Sequence, residues 1–214
     1  MSLHHEMNFE AEIAEHLGAN GWFYAEGDAA LYDRKLALYP PDLITWVQES
    51  QPKAWETLQK NHGSKAADTL LQRLRSQLDL IGTLDLVRNG VELLGLSKAL
   101  KLAEFKPALG LNPEILARYK ANRLRVVRQV RYSLHNENSI DLVLFLNGIP
   151  VATVELKTDN TQSIEDAIWQ YKKDRNPKSP GQTPEPLLTF PSGALVHFAV
   201  SNREVRMTTR LAGF

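Results

Sequence analysis

The sequence contains no cysteine, which excludes disulfide bridges and zinc sites with thiolate ligands. The absence agrees with a reducing compartment, so we expect a cytoplasmic protein. No apolar run approaches the roughly 18 residues that a membrane-spanning helix needs, and no membrane partner is expected. The first ten residues, MSLHHEMNFE, lack the apolar centre of a secretory signal peptide. Together these absences favour an ordinary soluble globular protein.

Several motifs of common enzyme classes are also missing. No GxxxxGK[ST] loop is present, so the chain has no ATP site of its own. Gly95, Leu96 and Ser97 resemble the start of a nucleophile elbow but lack its second glycine. The four histidines beyond the first ten residues show no metal-ligand spacing: His16, His62, His135 and His197. Hydrolysis by an activated serine and zinc chemistry are therefore not expected.

The charge of the chain is balanced overall but unevenly distributed. Lys and Arg number 25, as do Asp and Glu, whereas a DNA-binding domain is often strongly basic. Two segments are nevertheless rich in basic side chains, residues 118–131 and residues 172–178. Taken alone, each is typical of a solvated helix or strand surface. Because the two segments flank the candidate site described below, we keep them as candidate DNA contacts.

The first hundred residues have mainly helical patterns. Phe9, Ile13 and Leu17 recur at helical spacing, and Pro40 with Pro41 marks a later helix start. We predict helices over residues 42–62, 64–78 and 79–89, and we interpret residues 40–95 as a helical insertion. Alternating leucines predict a strand over residues 98–105.

The second half of the chain carries the strongest β signal. Asn112 and Pro113 predict the start of a short helix, and three strands then follow within residues 123–157. Asn147 followed by Gly148 is typical of a tight hairpin turn. A helix over residues 163–174 and strands over residues 194–200 and 204–209 complete the pattern. This order predicts one α/β domain over residues 1–214, with a sheet flanked by helices.

Asp141, Glu155 and Lys157 form the candidate catalytic group. Glu155 and Lys157 are two residues apart, so they share one face of a strand. Two carboxylates suit a hard divalent cation such as Mg²⁺, and the backbone carbonyl of Leu156 offers a third ligand. A bound Mg²⁺ lowers the pKa of a water, and a lysine offsets negative charge on a phosphate. The alternative is an ordinary surface ion pair of Glu155 with Lys157, because such spacings recur by chance.

The positions of the two acids make a geometric demand on the hairpin. A strict two-residue turn would pair position 141 with position 154 and place Asp141 and Glu155 on opposite faces. The two acids can therefore share a face only if the register between the strands shifts by an odd number of residues. We expect either a three-residue loop with Gly148 in a left-handed bulge, or a bend at Asp141 outside the ladder.

Residues 112–209 closely resemble the N-terminal nuclease domain of the R (restriction) subunit of type I restriction-modification enzymes. The matching segments are LNPEILARYKANRLRVVRQVRYSLHNENSIDLVLFLNGIPVATVELK, SIEDAIWQYKKDR and VHFAVSNREVRMTTRLAG. The likeness extends to the first helix and to the segments YDRKLALYPPDL and QPKAW. The resemblance implies the restriction-endonuclease-like PD-(D/E)xK fold and Mg²⁺-dependent double-strand cleavage of DNA. It also implies that ATP is used only by helicase domains of the full-length subunit.

The resemblance assigns roles to individual residues. Asp141 and Glu155 match the metal ligands, Lys157 the catalytic lysine, and Glu10 an acid on the first helix, with Glu12 as the neighbouring alternative. Gln170 and Tyr171 resemble a Gln/Tyr motif whose two residues are usually spaced apart. The usual proline before the first acid is Ile140, and the residue after the lysine, often Asn, is Thr158. Candidate DNA contacts are Arg128, Tyr171, Lys172 and Arg175.

Three functions remain open from the sequence. The leading one is a type I site-specific deoxyribonuclease domain that acts on double-stranded DNA with methyltransferase and specificity subunits as partners. The second is a non-catalytic module that docks the R subunit onto the methyltransferase core, which the helical insertion favours. The third is an unrelated nuclease with the same acids, such as a DNA-repair enzyme, which leaves the chain-long resemblance unexplained.

Overall fold

The chain folds around a five-stranded mixed sheet with helices on both faces. This computed structural model describes residues 2–158 and 163–211, with the backbone only for residues 2–6. The helices are α1 (Ser2–Ala19), α2 (Pro40–Ser50), α3 (Pro52–His62), α4 (Ala66–Ile81), α5 (Thr83–Asn89), α6 (Pro113–Lys120) and α7 (Ile164–Lys173). The strands are β1 (Leu124–Arg131), β2 (Ser139–Leu146), β3 (Ile149–Leu156), β4 (Val196–Val200) and β5 (Val205–Thr208).

The sheet has the order β1-β2-β3-β4-β5, and only β3 and β4 run parallel. Because side chains alternate along a strand, Leu142 and Val143 point to opposite faces. Leu142 packs in a cluster with Ala14 of α1, and Val143 packs in a cluster with Tyr171 of α7. The predicted α/β class, a mixed sheet flanked by helices, is thus confirmed. No helix in residues 2–158 or 163–211 is long and apolar enough to cross a bilayer.

Two local predictions differ from the structure. Pro52 divides the predicted helix over residues 42–62, because the residue before a proline is disfavoured in helical conformation and Gln51 has a φ of −140°. The predicted strand over residues 98–105 does not form, and Leu100 makes only an isolated bridge with Val91. The backbone of Lys101 bonds instead to the Gln51 side chain. The alternating leucines there are simply buried in an irregular segment.

Helices α2–α5 form a layer with its own hydrophobic core, whose largest members include Trp46, Leu58, Leu74 and Leu86. This layer meets the sheet at the β2–β3 turn, where Tyr39 N donates to the carbonyl of Gly148. A Cβ at Gly148 would lie 2.4 Å from the Tyr39 carbonyl oxygen, and its φ is 78°. The glycine is therefore required both by space and by backbone conformation.

Buried ion pairs also connect the helical layer to the sheet. Asp42 at the start of α2 is 1% exposed and accepts hydrogen bonds from Arg123 and Arg125. Arg125 also pairs with Asp28, which accepts a hydrogen bond from Tyr39. Arg123 and Arg125, which belong to the basic segment over residues 118–131, thus bind acids between the helical layer and the sheet and not a ligand.

Candidate active site

The β2–β3 hairpin places Asp141 and Glu155 on the same face of the sheet. A two-residue turn joins the strands, and the register shifts by one residue between Leu144 and Phe145, which leaves Val151 as the extra residue in β3. Beyond this bulge Leu142 pairs with Val154, so position 141 lies opposite position 155. The predicted odd shift is confirmed, but its predicted place is wrong. It comes from a bulge within β3 and not from a three-residue loop.

The carboxylate of Asp141 is held from both neighbouring strands. Its Oδ2 accepts a hydrogen bond from the backbone N–H of Leu156 at 2.8 Å, on β3. Its Oδ1 accepts one from the side-chain amide of Gln129 at 3.3 Å, on β1. The carboxylate is therefore oriented by groups that carry no net charge.

Glu155 is fully buried, and its two oxygens differ. Oε1 accepts a hydrogen bond from Arg175 Nε at 2.7 Å, whereas Oε2 has no hydrogen-bond partner among the described residues. Burial, and then the charge of Asp141, raise the pKa of this carboxyl to about 8, against the opposing effects of Arg175 and Lys157. One guanidinium is thus insufficient to balance two adjacent acids in this environment.

This pair of acids fits a divalent cation. A buried carboxylate oxygen without a donor is costly, and a cation bound by oxygen ligands would supply the missing partner. Among the described residues, no three His, Asp or Glu side chains are grouped closely enough to hold a metal. Further ligands would have to be the Leu156 carbonyl, water or phosphate oxygens, which agrees with the few protein ligands that Mg²⁺ prefers.

A cleft of about 220 Å³ opens above the two acids, between α1 and the end of α7. Its walls are formed by Met7, Glu10, Gln129, Ser139, Asp141, Leu156, Lys157, Gln170 and Arg175. Lys157 follows β3 directly, is 9% exposed, and its backbone N–H donates to the Val200 carbonyl. The structure thus gathers Glu10, Asp141, Leu156, Lys157 and Gln170 at one cleft, with Glu155 buried beside it.

Glu10 enters the cleft from α1 and is almost completely buried. Its Oε1 accepts from Arg128 Nε and its Oε2 from Gln129 Nε2, each at 2.8 Å. Burial raises the pKa of Glu10 in spite of these donors. Glu12, the alternative acid on the same helix, is exposed. The structure therefore places Glu10, and not Glu12, at the site.

The four candidate DNA contacts fall in different environments. Tyr171 lies on the buried face of α7 and bonds to Thr153, and Arg175 is buried against Glu155. Tyr171 is turned inward by the packing of α7, and Arg175, which follows this helix, is held by its ion pair with Glu155, so neither side chain is exposed on the surface. Arg128 is half-buried against Glu10, whereas Lys172 is exposed, 5.9 Å from the exposed ring of Trp169.

Two functional contacts were not found from the sequence. Gln129 had no assigned role, although it bonds to Glu10 and Asp141. Arg175 was assigned to DNA rather than to Glu155. The register of β1 against β2, had it been known, would have placed Gln129 opposite Asp141. No local pattern signals the ion pair of Arg175, because the partners are 20 residues apart.

Glu155 should make the stability of the protein depend on pH. Between its ordinary pKa of 4.5 and about 8, the folded state keeps a proton that the unfolded state has released. The free energy of unfolding therefore falls as pH rises through this range and levels off above it. His197 acts in the opposite direction, because burial lowers its pKa from 6.5 to about 4, and its effect is nearly complete only by about pH 7.5.

We therefore expect the melting temperature to fall by a few degrees between pH 7 and pH 8, where Glu155 still titrates and most of the His197 transition is over. Calorimetry of the wild type and Glu155→Gln measures this. The variant should lose most of the slope, and any remainder is assigned to Glu10, whose pKa is also raised. A wild-type curve as flat as that of the variant would contradict the role given to Glu155.

The mixed sheet flanked by helices, with paired acids on its central hairpin, is compatible with a restriction-endonuclease-like fold. Residues 8–214 match the model of the family described as type I restriction enzyme R protein N terminus, and the chain belongs to this family. The resemblance drawn from its motifs is thereby confirmed, and the chain is a component of a restriction complex. No curated protein and no solved structure matches the chain.

Proposed function

We propose that this chain is a Mg²⁺-dependent endonuclease domain that hydrolyses the phosphodiester bonds of double-stranded DNA. In the full R protein it would make double-strand breaks in unmodified foreign DNA after ATP-driven translocation by helicase domains. Methyltransferase and specificity subunits would be its partners. The observation that carries the proposal is the pairing of Asp141 with a buried Glu155 that has an unpartnered oxygen, beside Lys157.

Each side chain at the cleft has a task in this reaction. Asp141 and Glu155, with the Leu156 carbonyl, would hold Mg²⁺, which supplies a water of lowered pKa and stabilises phosphate charge. Lys157 Nζ orients the attacking water and offsets negative charge that develops on the phosphate. Gln170 also lines the cleft, where its amide is suited to bind the water or a phosphate oxygen. Glu10 acts through its contact with Gln129.

The surface of α7 supports DNA as the substrate. Lys173 Nζ lies 4.8 Å from the ring centroid of Trp169, which is 48% exposed, and Lys172 is on the same exposed surface. Exposed cations bind phosphates without regard to sequence, and an exposed aromatic ring can pack against sugar or base. Trp169, Lys172 and Lys173 thus offer a contact next to the cleft in place of the buried Tyr171 and Arg175.

A second candidate function is a docking module without catalysis. The helical layer encloses a separate core, and a groove of about 910 Å³ between α3, residues 95–101 and α6 does not include any cleft residue. Its lining has one acid, Glu114, and four basic side chains, Lys53, Lys98, Lys101 and Arg118, of which the last two pair with Glu104. Such a groove favours an acidic partner and does not require a metal.

Metal titration of this chain separates the two functions. We expect Mn²⁺ or Mg²⁺ to raise the melting temperature of the wild type and to have at least a tenfold weaker effect on Asp141→Asn. Without metal, Asp141→Asn should melt higher than the wild type, because it removes a charge that opposes ionisation of Glu155. Calorimetric titration and thermal melts at pH 8 measure both effects.

Asp68→Asn, at an exposed position of α4, is the matched control and should respond to metal as the wild type does. A wild type that binds these cations no better than Asp141→Asn would contradict the nuclease proposal and leave the docking function as the better explanation of the chain.

A further inference from the structure

The backbone of Gln129 departs from the regular conformation of β1 at the position facing Asp141. Arg128 and Val130 pair regularly with Leu142 and Ile140, but Gln129 has a φ of 50°. This left-handed conformation is uncommon for a residue with a side chain, and inside a strand it persists only when surrounding contacts hold it. The departure lies at the edge of the proposed metal site.

The side chain of Gln129 explains what this conformation achieves. Its Nε2 donates to Glu10 Oε2 at 2.8 Å and to Asp141 Oδ1 at 3.3 Å, and its Oε1 accepts from Ser139 Oγ at 3.0 Å. A primary amide has two N–H groups, so it can serve both acids at once. Because the amide is neutral, it connects the two carboxylates without supplying the positive charge that a cation would provide.

We propose that Gln129 is a positioning residue that fixes the orientation of the Asp141 carboxylate and couples it to Glu10. The Leu156 N–H holds Oδ2 from one side, and Gln129 holds Oδ1 from the other, so the carboxylate cannot rotate freely. Outer contacts of this kind orient metal ligands and tune their affinity. This inference rests on the proposed metal-dependent function, and Gln129 itself touches no reacting group.

The substitution Gln129→Asn tests the proposal with little disturbance of the backbone. Asparagine adopts the left-handed conformation readily and keeps the amide, but its side chain is one methylene shorter. It should therefore preserve the fold and lose the bridge between Glu10 and Asp141. We expect calorimetric titration to show about tenfold weaker Mn²⁺ binding. The melting temperature without metal should stay close to that of the wild type.

The kinetic result should distinguish positioning from catalysis. In the full restriction complex, Gln129→Asn should need about tenfold more Mg²⁺ for half-maximal DNA cleavage but reach nearly the wild-type rate at saturation. Asp141→Asn should stay inactive at every Mg²⁺ concentration. Gln72→Asn, at an exposed position of α4, serves as the matched control and should change neither quantity.

Failure of the role proposed for Gln129 can be distinguished from failure of the proposed nuclease function. If wild type and Gln129→Asn bind Mn²⁺ equally, the positioning role is overturned while the nuclease proposal stands. A lower melting temperature with unchanged Mn²⁺ affinity would assign Gln129 a merely structural role and also overturn the proposal. If the wild type binds no Mn²⁺, the proposed function fails first, and the role of Gln129 fails with it.

Discussion

Replacing Lys157 by alanine is expected to reduce DNA cleavage by about 10²–10³-fold, the usual cost of removing one group that stabilises charge developing in the transition state. ATP hydrolysis by the full R protein should persist, because Lys157 lies in the cleft proposed for DNA cleavage, beside Asp141 and Gln170. The measurement is cleavage of an unmodified plasmid by the assembled restriction complex, with phosphate release followed in parallel. Uncoupling of the two activities is the signature of a nuclease defect.

A second effect of the same substitution follows from electrostatics. The charge of Lys157 is one of the influences that lower the pKa of Glu155. Its removal should raise that pKa further, so Mn²⁺ binding, which requires the ionised carboxylate, should shift to higher pH. Calorimetric titrations of Lys157→Ala between pH 6.5 and pH 9 would detect the shift.

Lys60→Ala is a suitable control, since Lys60 is exposed on α3 and belongs to the helical layer. It should cleave DNA at the wild-type rate. Wild-type cleavage by Lys157→Ala would remove Lys157 from the mechanism. Loss of ATP hydrolysis together with cleavage would instead indicate a defect in assembly and would contradict a role confined to the cleft.

The local parts of the fold were accessible from the sequence because local chemistry determines them. The capping box formed by Ser163 and Asp166 defines the start of α7, and Asn112 caps α6 through its side chain. Asn147 and Gly148 both have positive φ, as a tight hairpin turn requires. The strand predicted over residues 98–105 failed because alternation reports burial, and burial there is provided by the helical layer.

The candidate site was accessible only in part. Spacing alone left Asp141, Glu155 and Lys157 as one hypothesis among others, and resemblance to the family gave it weight. Because positions 141 and 155 are both odd-numbered, the sequence correctly predicted that the β2–β3 register must shift by an odd number of residues. Contacts that depend on distant packing were beyond the sequence, which is why Gln129 was missed and why the burial of Tyr171, a candidate DNA contact, was not foreseen.

Arg175→Met is expected to lower the free energy of unfolding by about 1–3 kcal/mol, the usual cost of leaving a buried polar group without its hydrogen-bond partner, because Glu155 can take up a proton when its cation is lost. The Arg175 side chain is 9% exposed and donates to Glu155, which is fully buried. Loss of the guanidinium leaves Glu155 next to Asp141 with Lys157 as the remaining cation among the causes of its pKa shift. Urea unfolding at pH 8 measures the change.

The double variant Arg175→Met with Glu155→Gln should recover most of that loss, because it removes both charges of the pair. Mn²⁺ should also stabilise Arg175→Met more than the wild type, since the cation would then be the main partner of Glu155. Arg206→Met is the matched control: its pair with Glu204 is exposed by 61% and 50%, so its loss should stay below about 1 kcal/mol.

These results would decide how the site balances its charge. If Arg175→Met loses no more than Arg206→Met, Glu155 is not an ionised partner of Arg175 in the folded protein. If the loss is large and Mn²⁺ reverses it, the guanidinium and the cation serve the same buried carboxylate. Arg175 would then be the group that allows a fully buried glutamate to remain next to Asp141 before a metal binds.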